Sequence, residues 1–429
     1  MAATLLRNPK LGLLLALLFA ACMWFYVQRI MIPHQVSAAA AFDSPRGSLS
    51  DLYPRWLGAR ELLLNHRNPY SPEVTREIQI GYYGRVLDPT RPGDPKDQQA
   101  FAYPVYVVFL VAPTIGFPFS AVQEVFRWFL VILTAATVPS WLRAIRWRPS
   151  PTVTVTLIVL TLGFFPVVQG LKLQQLTLVV SGLIAGCVAL LVGGQLLLAG
   201  ILLGLATIKP QLVLPLVMWL ILWACGEWRR RQNFVWGFGG TMALLLAGAH
   251  WVLPGWTGNF WEAIHAYREY IGRPESVLAT VTTPALGAIL TAVTLAGLAV
   301  VCWRVRRQSA DSPAFALVSA LVLVVTIVVI PMTALYNQAL LMPGVLVLAQ
   351  NVGLLRMKDV FTRSACILAG LVFFWPWFAA LAWTAASLVL SPVSVQKAWS
   401  APLWSSMMTP VVVLLLLVPV ASTVFRRER

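Results

Sequence analysis

The chain has 429 residues, 59% of them hydrophobic and only 11% charged, with 32 Lys and Arg against 16 Asp and Glu. An ordinary soluble domain has roughly 45–50% apolar and about 25% charged residues, so this composition excludes one. The net charge of +16 does not mark a nucleic-acid binder either, because the basic residues are scattered through short loops instead of gathered on one face.

Apolar stretches near the ~20 residues needed to cross a ~30 Å hydrocarbon core recur along the whole chain. The first, 11–29, follows Arg7 and Lys10 and ends in Trp24, Phe25, Tyr26 and Arg29. That length and that aromatic end predict an uncleaved span, not a signal peptide. Residues 33–103 are hydrophilic, carry half of the acidic residues and are expected outside. Residues 104–119 are apolar but short and interrupted by Pro113 and Pro118, which predicts a re-entrant or interfacial segment. Full spans are expected at 121–142, 152–168, 176–192, 234–253, 284–303, 313–331, 337–353, 365–388 and 403–425.

The stretch 195–225 divides into two short helices at Ile208-Lys209-Pro210-Gln211, because proline removes a backbone donor there. With that division the fold is expected to be an all-α transmembrane bundle of about twelve spans with both termini cytoplasmic. Loops bearing Arg143, Arg146, Arg148, Arg229, Arg230, Arg231, Arg304, Arg306 and Arg307 then lie inside, as the positive-inside bias requires, facing anionic lipid. A second external segment, 254–283, reads as an amphipathic interfacial helix. The five cysteines (Cys22, Cys187, Cys225, Cys302 and Cys366) lie in or at the ends of apolar runs, and neither their number nor their spacing suggests a disulfide framework or zinc.

In the external loop, SDLYPRWLGARELLLNHRNPY (50–70) predicts a helix capped by Ser50 or Asp51 and ended by Asn68-Pro69. Taken alone, Asp51 reads as that cap. It shares the outer boundary, however, with Lys209, Lys172 and Arg127, and a cation at helix centre costs ~2.5–3.5 kcal/mol unless it meets a cavity or a partner. Arg127 has Glu124 three residues earlier, and Lys172 can snorkel. Lys209, at the break between two apolar half-helices, has neither outlet. His250, in an apolar helix, reads as a core histidine.

The order of an early external Asp, GAREL followed by NPY, FAYP (101–104), LQQLTLVV (173–180) and GILLGLATIKP (200–210) resembles glycosyltransferase family 87. These are membrane enzymes of the GT-C superfamily, which include mycobacterial mannosyltransferases using polyprenyl-phosphate sugars. The resemblance covers residues 1 to about 345 and leaves 346–429 as scaffold. Three places depart from the family pattern: Gln174-Gln175 stands for Gly-Gln, Tyr103-Pro104-Val105 for Tyr-Pro-Pro-Leu, and ALYNQALLMP replaces an aromatic or His before the later Leu-rich stretch.

The resemblance implies an inverting transfer from a polyprenyl-phosphate sugar to a lipid or glycan acceptor on the extracytoplasmic face of the cytoplasmic membrane. Asp51 is then the general base, with Lys209, Lys172 and Arg127 at the donor phosphate. Asp43, Tyr70, Tyr103, Gln175, His265, Arg268, Tyr336 and Asn337 are the candidates for sugar or acceptor. Each tyrosine reads equally as an interfacial anchor. The chain has no Asp-x-Asp pair, so cationic side chains are expected in place of a metal and no cofactor is expected, although Asp94 and Asp97 leave a metal open. The rival readings are a transporter or flippase of a lipid-linked or small anionic substrate, which would also use a broken helix, and a lipid-binding partner without catalysis.

Overall fold

A backbone surrounded by hydrocarbon must satisfy its own N–H and C=O groups, and this chain does so with helices. A computed structural model describes residues 8–41, 50–88, 90–91, 93–95, 97–272, 275–331, 334–353 and 360–427, and among the described residues there is no strand.

Helix α1 (Pro9–Ala41) begins at Asn8, whose side chain accepts from Leu11 N. It outruns the expected span 11–29, because the polar residues after Met31 do not stop a helix that Ala38 to Ala41 favour. Its π-helical turn at Val27–Met31 lies just before Pro33, whose ring would otherwise meet a carbonyl four residues back. The hydrophilic stretch expected outside, 33–103, therefore opens within α1. It contains α2 (Tyr53–Asn65) and α3 (Pro72–Tyr83), clamped together by Arg67, which reaches Glu61 at 2.8 Å and Glu77 at 2.7 Å. The proline-interrupted segment forms only short turns over Val105–Thr114 (α4).

Next come α5 (Phe119–Ala144), α6 (Pro151–Leu162), α7 (Phe165–Leu173) and α8 (Leu176–Val192). The expected span 152–168 is bent by 60° between α6 and α7, where Pro166 opens the second helix. The division of 195–225 is present as α9 (Leu196–Ala206) and α10 (Pro210–Gly226). Helix α9 lies directly on α11 (Trp228–Val252), because Gly200 and Gly237 have no side chain between the two backbones: a Cβ on Gly200 would sit 2.6 Å from Phe238 N. The second segment expected outside, 254–283, forms α12 (Trp256–Ile271), set between Gly255 and Gly272 at φ 74° and 82°, and the short α13 (Val277–Val281).

Helix α14 (Pro284–Val305) follows, and α15 (Pro313–Val329) is buried from Ala314 to Val328, its polar residues Ser319 and Thr326 included. Where a full span 337–353 was expected, the chain makes a 3-10 segment, Leu335–Leu341, and the short α16 (Met342–Gln350), since Pro343 restarts the helix there. The C-terminal part is α17 (Val360–Ala386), α18 (Pro392–Lys397) and α19 (Thr409–Arg427). It is tied to α1 by the Tyr26 hydroxyl, which donates to Trp399 O, and by His34 stacked on Trp399.

Among the described residues, six helices (α1, α5, α11, α14, α17 and α19) are long and apolar enough to cross a membrane, and α6 with α7 makes a seventh if counted as one bent span. Helices α8, α9, α10 and α15 are apolar but shorter. The chain is a multi-pass membrane protein; length and composition support six or seven crossings, and the figure of about twelve remains an expectation.

Candidate active site

The site is built where the residues just before α2 meet the turn between α7 and α8. Asp51 N donates to Leu173 O at 2.8 Å, and the Ser50 hydroxyl donates to the buried Gln174 side chain, whose amide in turn donates to Gln123 O at 2.6 Å. Gln174 adopts φ 51°, a conformation that glycine enters freely and other residues only under strain. The turn at Gln174 is thus a strained one, and its side chain anchors the Asp51 loop.

The following residue, Gln175, is extended and precedes α8. Its amide nitrogen donates to the Asp51 carboxylate, and its oxygen accepts from Lys209 Nζ at 2.8 Å. Lys209 is only 5% exposed and occupies the break before Pro210. It also donates to Thr177 Oγ1 at 2.8 Å, and Thr177 in turn donates to Asn337 Oδ1 at 2.9 Å. Both acceptors of the buried ammonium are neutral, and Lys209 makes no ion pair with a described carboxylate.

Asp51 does not cap α2. Leu52 holds that position, Ser50 Oγ accepts from Leu52 N, and the Asp51 carboxylate instead takes Gln175 and the Tyr82 hydroxyl, the latter at 3.3 Å. Burial raises the Asp51 pKa to about 6, with the nearby Asp97 adding to the rise and Arg55, Lys209 and Gln175 opposing it.

Tyr103 is the second organiser. Gly58 on α2 leaves room for Phe101, since a Cβ there would overlap its ring, and this brings the GAREL and FAYP stretches together. Tyr70 lies edge-on to Phe101 and donates to Tyr103 O at 2.5 Å, so its hydroxyl positions the FAYP turn. The Tyr103 ring carries two cations: the Arg55 guanidinium 4.2 Å from its centroid and Lys209 Nζ at 5.6 Å. Lys209 also lies 5.1 Å from the Tyr336 ring.

The structure therefore gathers Asp51, Tyr103, Gln175, Lys209, Tyr336 and Asn337, with Tyr70 behind them. Other sequence candidates are elsewhere. Arg127 pairs with Glu124 at 2.6 Å on an exposed face, the ordinary i,i+3 partnership, and is not part of the cluster. Lys172 donates to Gln35 of α1 at 2.6 Å. His265 and Arg268 are exposed, and His265 meets the edge of Trp261; on the same helix it is Tyr267 that is half-buried. Burial raises its phenol pKa, with Asp97 and Asp51 acting in the same direction and Arg55 against them. Asp43 lies outside the described residues.

Sequence reasoning passed over Arg55, Tyr82, Thr177 and Tyr267, and it weighed Asp97 only as a metal ligand. Arg55 carried a usable signal, since it falls four residues after Asp51, a spacing that brings opposite charges together across one turn. Tyr267 carried half of one, because on an interfacial helix the residues facing protein and those facing headgroups alternate every few positions. Among the described residues, no three His, Cys, Asp or Glu side chains gather in a metal-holding group.

The sequence model of glycosyltransferase family 87 matches residues 101–331, more than half of the chain. The match includes Tyr103, Gln175, Thr177, Lys209 and Tyr267 and begins beyond Asp51 and Arg55. No curated protein and no solved structure matches the chain.

Proposed function

The chain belongs to glycosyltransferase family 87 and is a membrane glycosyltransferase, and from that premise we propose that it transfers a sugar from a polyprenyl-phosphate donor to a lipid or glycan acceptor with inversion. Asp51 is the base. Its carboxylate takes the proton of an acceptor hydroxyl as that oxygen attacks the anomeric carbon, and the bond from that carbon to the phosphate oxygen breaks on the opposite face. Help of this kind contributes typically ~10²–10⁴-fold.

The bond electrons go to the lipid phosphate, which leaves as a monoester with one more negative charge than it brought. Lys209 meets that charge by turning N–H groups now held by Gln175 and Thr177 toward a phosphate oxygen. In net terms the reaction moves one negative charge from Asp51 to the phosphate. Tyr103, Tyr336 and Tyr267 supply flat faces and hydroxyls for the sugar.

The observation that carries this reading is the single amide of Gln175 touching both Asp51 and Lys209. Base and leaving-group cation are thereby held at one short separation. The basic loops favour an extracytoplasmic site in the cytoplasmic membrane with both termini inside, residues 1–345 as the catalytic module and 346–429 as scaffold. The transporter reading has no comparable support, because family membership implies a sugar donor and an acceptor.

The test is purified protein in nanodiscs given labelled polyprenyl-phosphate sugars and, separately, the matching sugar nucleotides. Transfer from the lipid donors alone, with the anomeric configuration reversed in the product, is the expected result. Transfer from the nucleotides alone, or retention of configuration, would refute it.

A further inference from the structure

Among the described residues, Arg55 is held close to the proposed chemistry without an ion pair. Its Nη1 donates to the backbone oxygen of Asp51 at 2.9 Å, its guanidinium lies on Tyr103, and it makes no ion pair with a described carboxylate. Its Nε is enclosed by protein and has no hydrogen-bond partner among the described residues. Leaving such a donor unpaired costs ~1–3 kcal/mol, so its persistence requires a reason.

We infer that Arg55 is a second phosphate-binding cation of the donor site, using its unpaired Nε and the neighbouring N–H groups to take oxygens of the lipid phosphate alongside Lys209. This rests on the polyprenyl-phosphate reading above. The planar fork of a guanidinium fits two phosphate oxygens at once, whereas an ammonium acts as a point charge. The shared Tyr103 ring brings both cations within reach of one anion.

Charge balance points the same way. Asp51 and Asp97 are the carboxylates whose fields reach Arg55, and Tyr103 and Tyr336 are the phenols. When Asp51 accepts the acceptor's proton, Arg55 loses an anionic neighbour at the moment the phosphate gains charge. Its attraction shifts from the base to the leaving group, with no movement of the backbone.

A purely structural Arg55, one that only offsets Asp51 and Asp97, would affect the base but not the binding of a lipid phosphate. Full-length protein in nanodiscs distinguishes the two, with a polyprenyl monophosphate and the uncharged polyprenol of equal length as probes. Wild type is expected to bind the monophosphate more tightly than the alcohol. Arg55→Gln is expected to weaken monophosphate binding about tenfold or more, the loss of roughly one charged hydrogen bond, while leaving the alcohol unchanged. Arg55→Lys is expected to recover only part of the loss and serves as the readout if Arg55→Gln does not fold. Unchanged monophosphate affinity in the folded variants overturns the role of Arg55. Equal affinity of wild type for monophosphate and alcohol instead overturns the donor reading on which it rests, so the two failures are separable.

Discussion

Lys209 donates to Gln175 at 2.8 Å, and because the same amide donates to Asp51, neither the ammonium nor the carboxylate is free to choose its own orientation. A neutral bridge of this kind keeps base and cation apart. A direct ion pair would collapse the space in which a substrate must fit and lower the basicity of the carboxylate.

Gln175→Leu should therefore reduce kcat/KM by roughly ten- to a hundredfold, since it leaves a buried ammonium and carboxylate each short of a partner. Gln175→Glu should act differently. It puts an anion beside Lys209 that competes with the phosphate, so the donor KM should rise more than kcat falls. Steady-state kinetics with varied donor separates these outcomes.

The activity should rise with pH through about 6, because the raised pKa of Asp51 leaves it protonated and useless as a base below that point. Asp97 contributes to the rise, so Asp97→Asn should move the acid limb to lower pH, and Arg55→Gln should move it up. The same shift has a stability consequence of known sign. The folded state holds this proton more tightly than the unfolded chain, so the contribution of Asp51 to stability falls as pH climbs from about 4 to about 6. A pH profile of kcat/KM for the three proteins checks the first claim.

Arg127→Ala should leave transfer within about twofold of wild type, because an exposed i,i+3 pair contributes little and Arg127 lies outside the cluster. The same assay with Lys209→Met should show a loss of at least ~10²-fold.

Gly200→Leu should prevent α9 from lying on α11, as its side chain would have to enter the backbone of Phe234 and Phe238. Reduced thermal stability and loss of monodisperse protein in detergent are expected, whereas Gly239→Ala, which meets open space, should be tolerated.

Much of this arrangement was legible in the residues. The break at Lys209-Pro210 followed from proline chemistry, and a cation at such a break could be read as needing a polar neighbourhood. The Asp51 cap was misread because local spacing cannot report that Leu173 and Gln174 recruit the backbone and side chain of the same loop from more than a hundred residues away. Span lengths were overestimated at 337–353 because hydropathy does not distinguish a buried 3-10 turn from a crossing. Thr177 was invisible for a similar reason: within LTLVV it looks like a tolerated β-branched residue, and only the fold shows Lys209 beside it.

The most direct measurement of the central claim is single-turnover transfer of labelled sugar from a bound polyprenyl-phosphate donor by Asp51→Asn. The account predicts that the donor still binds and the protein still folds while the transfer step slows by at least ~10²-fold at pH 7. Transfer at the wild-type rate would contradict it.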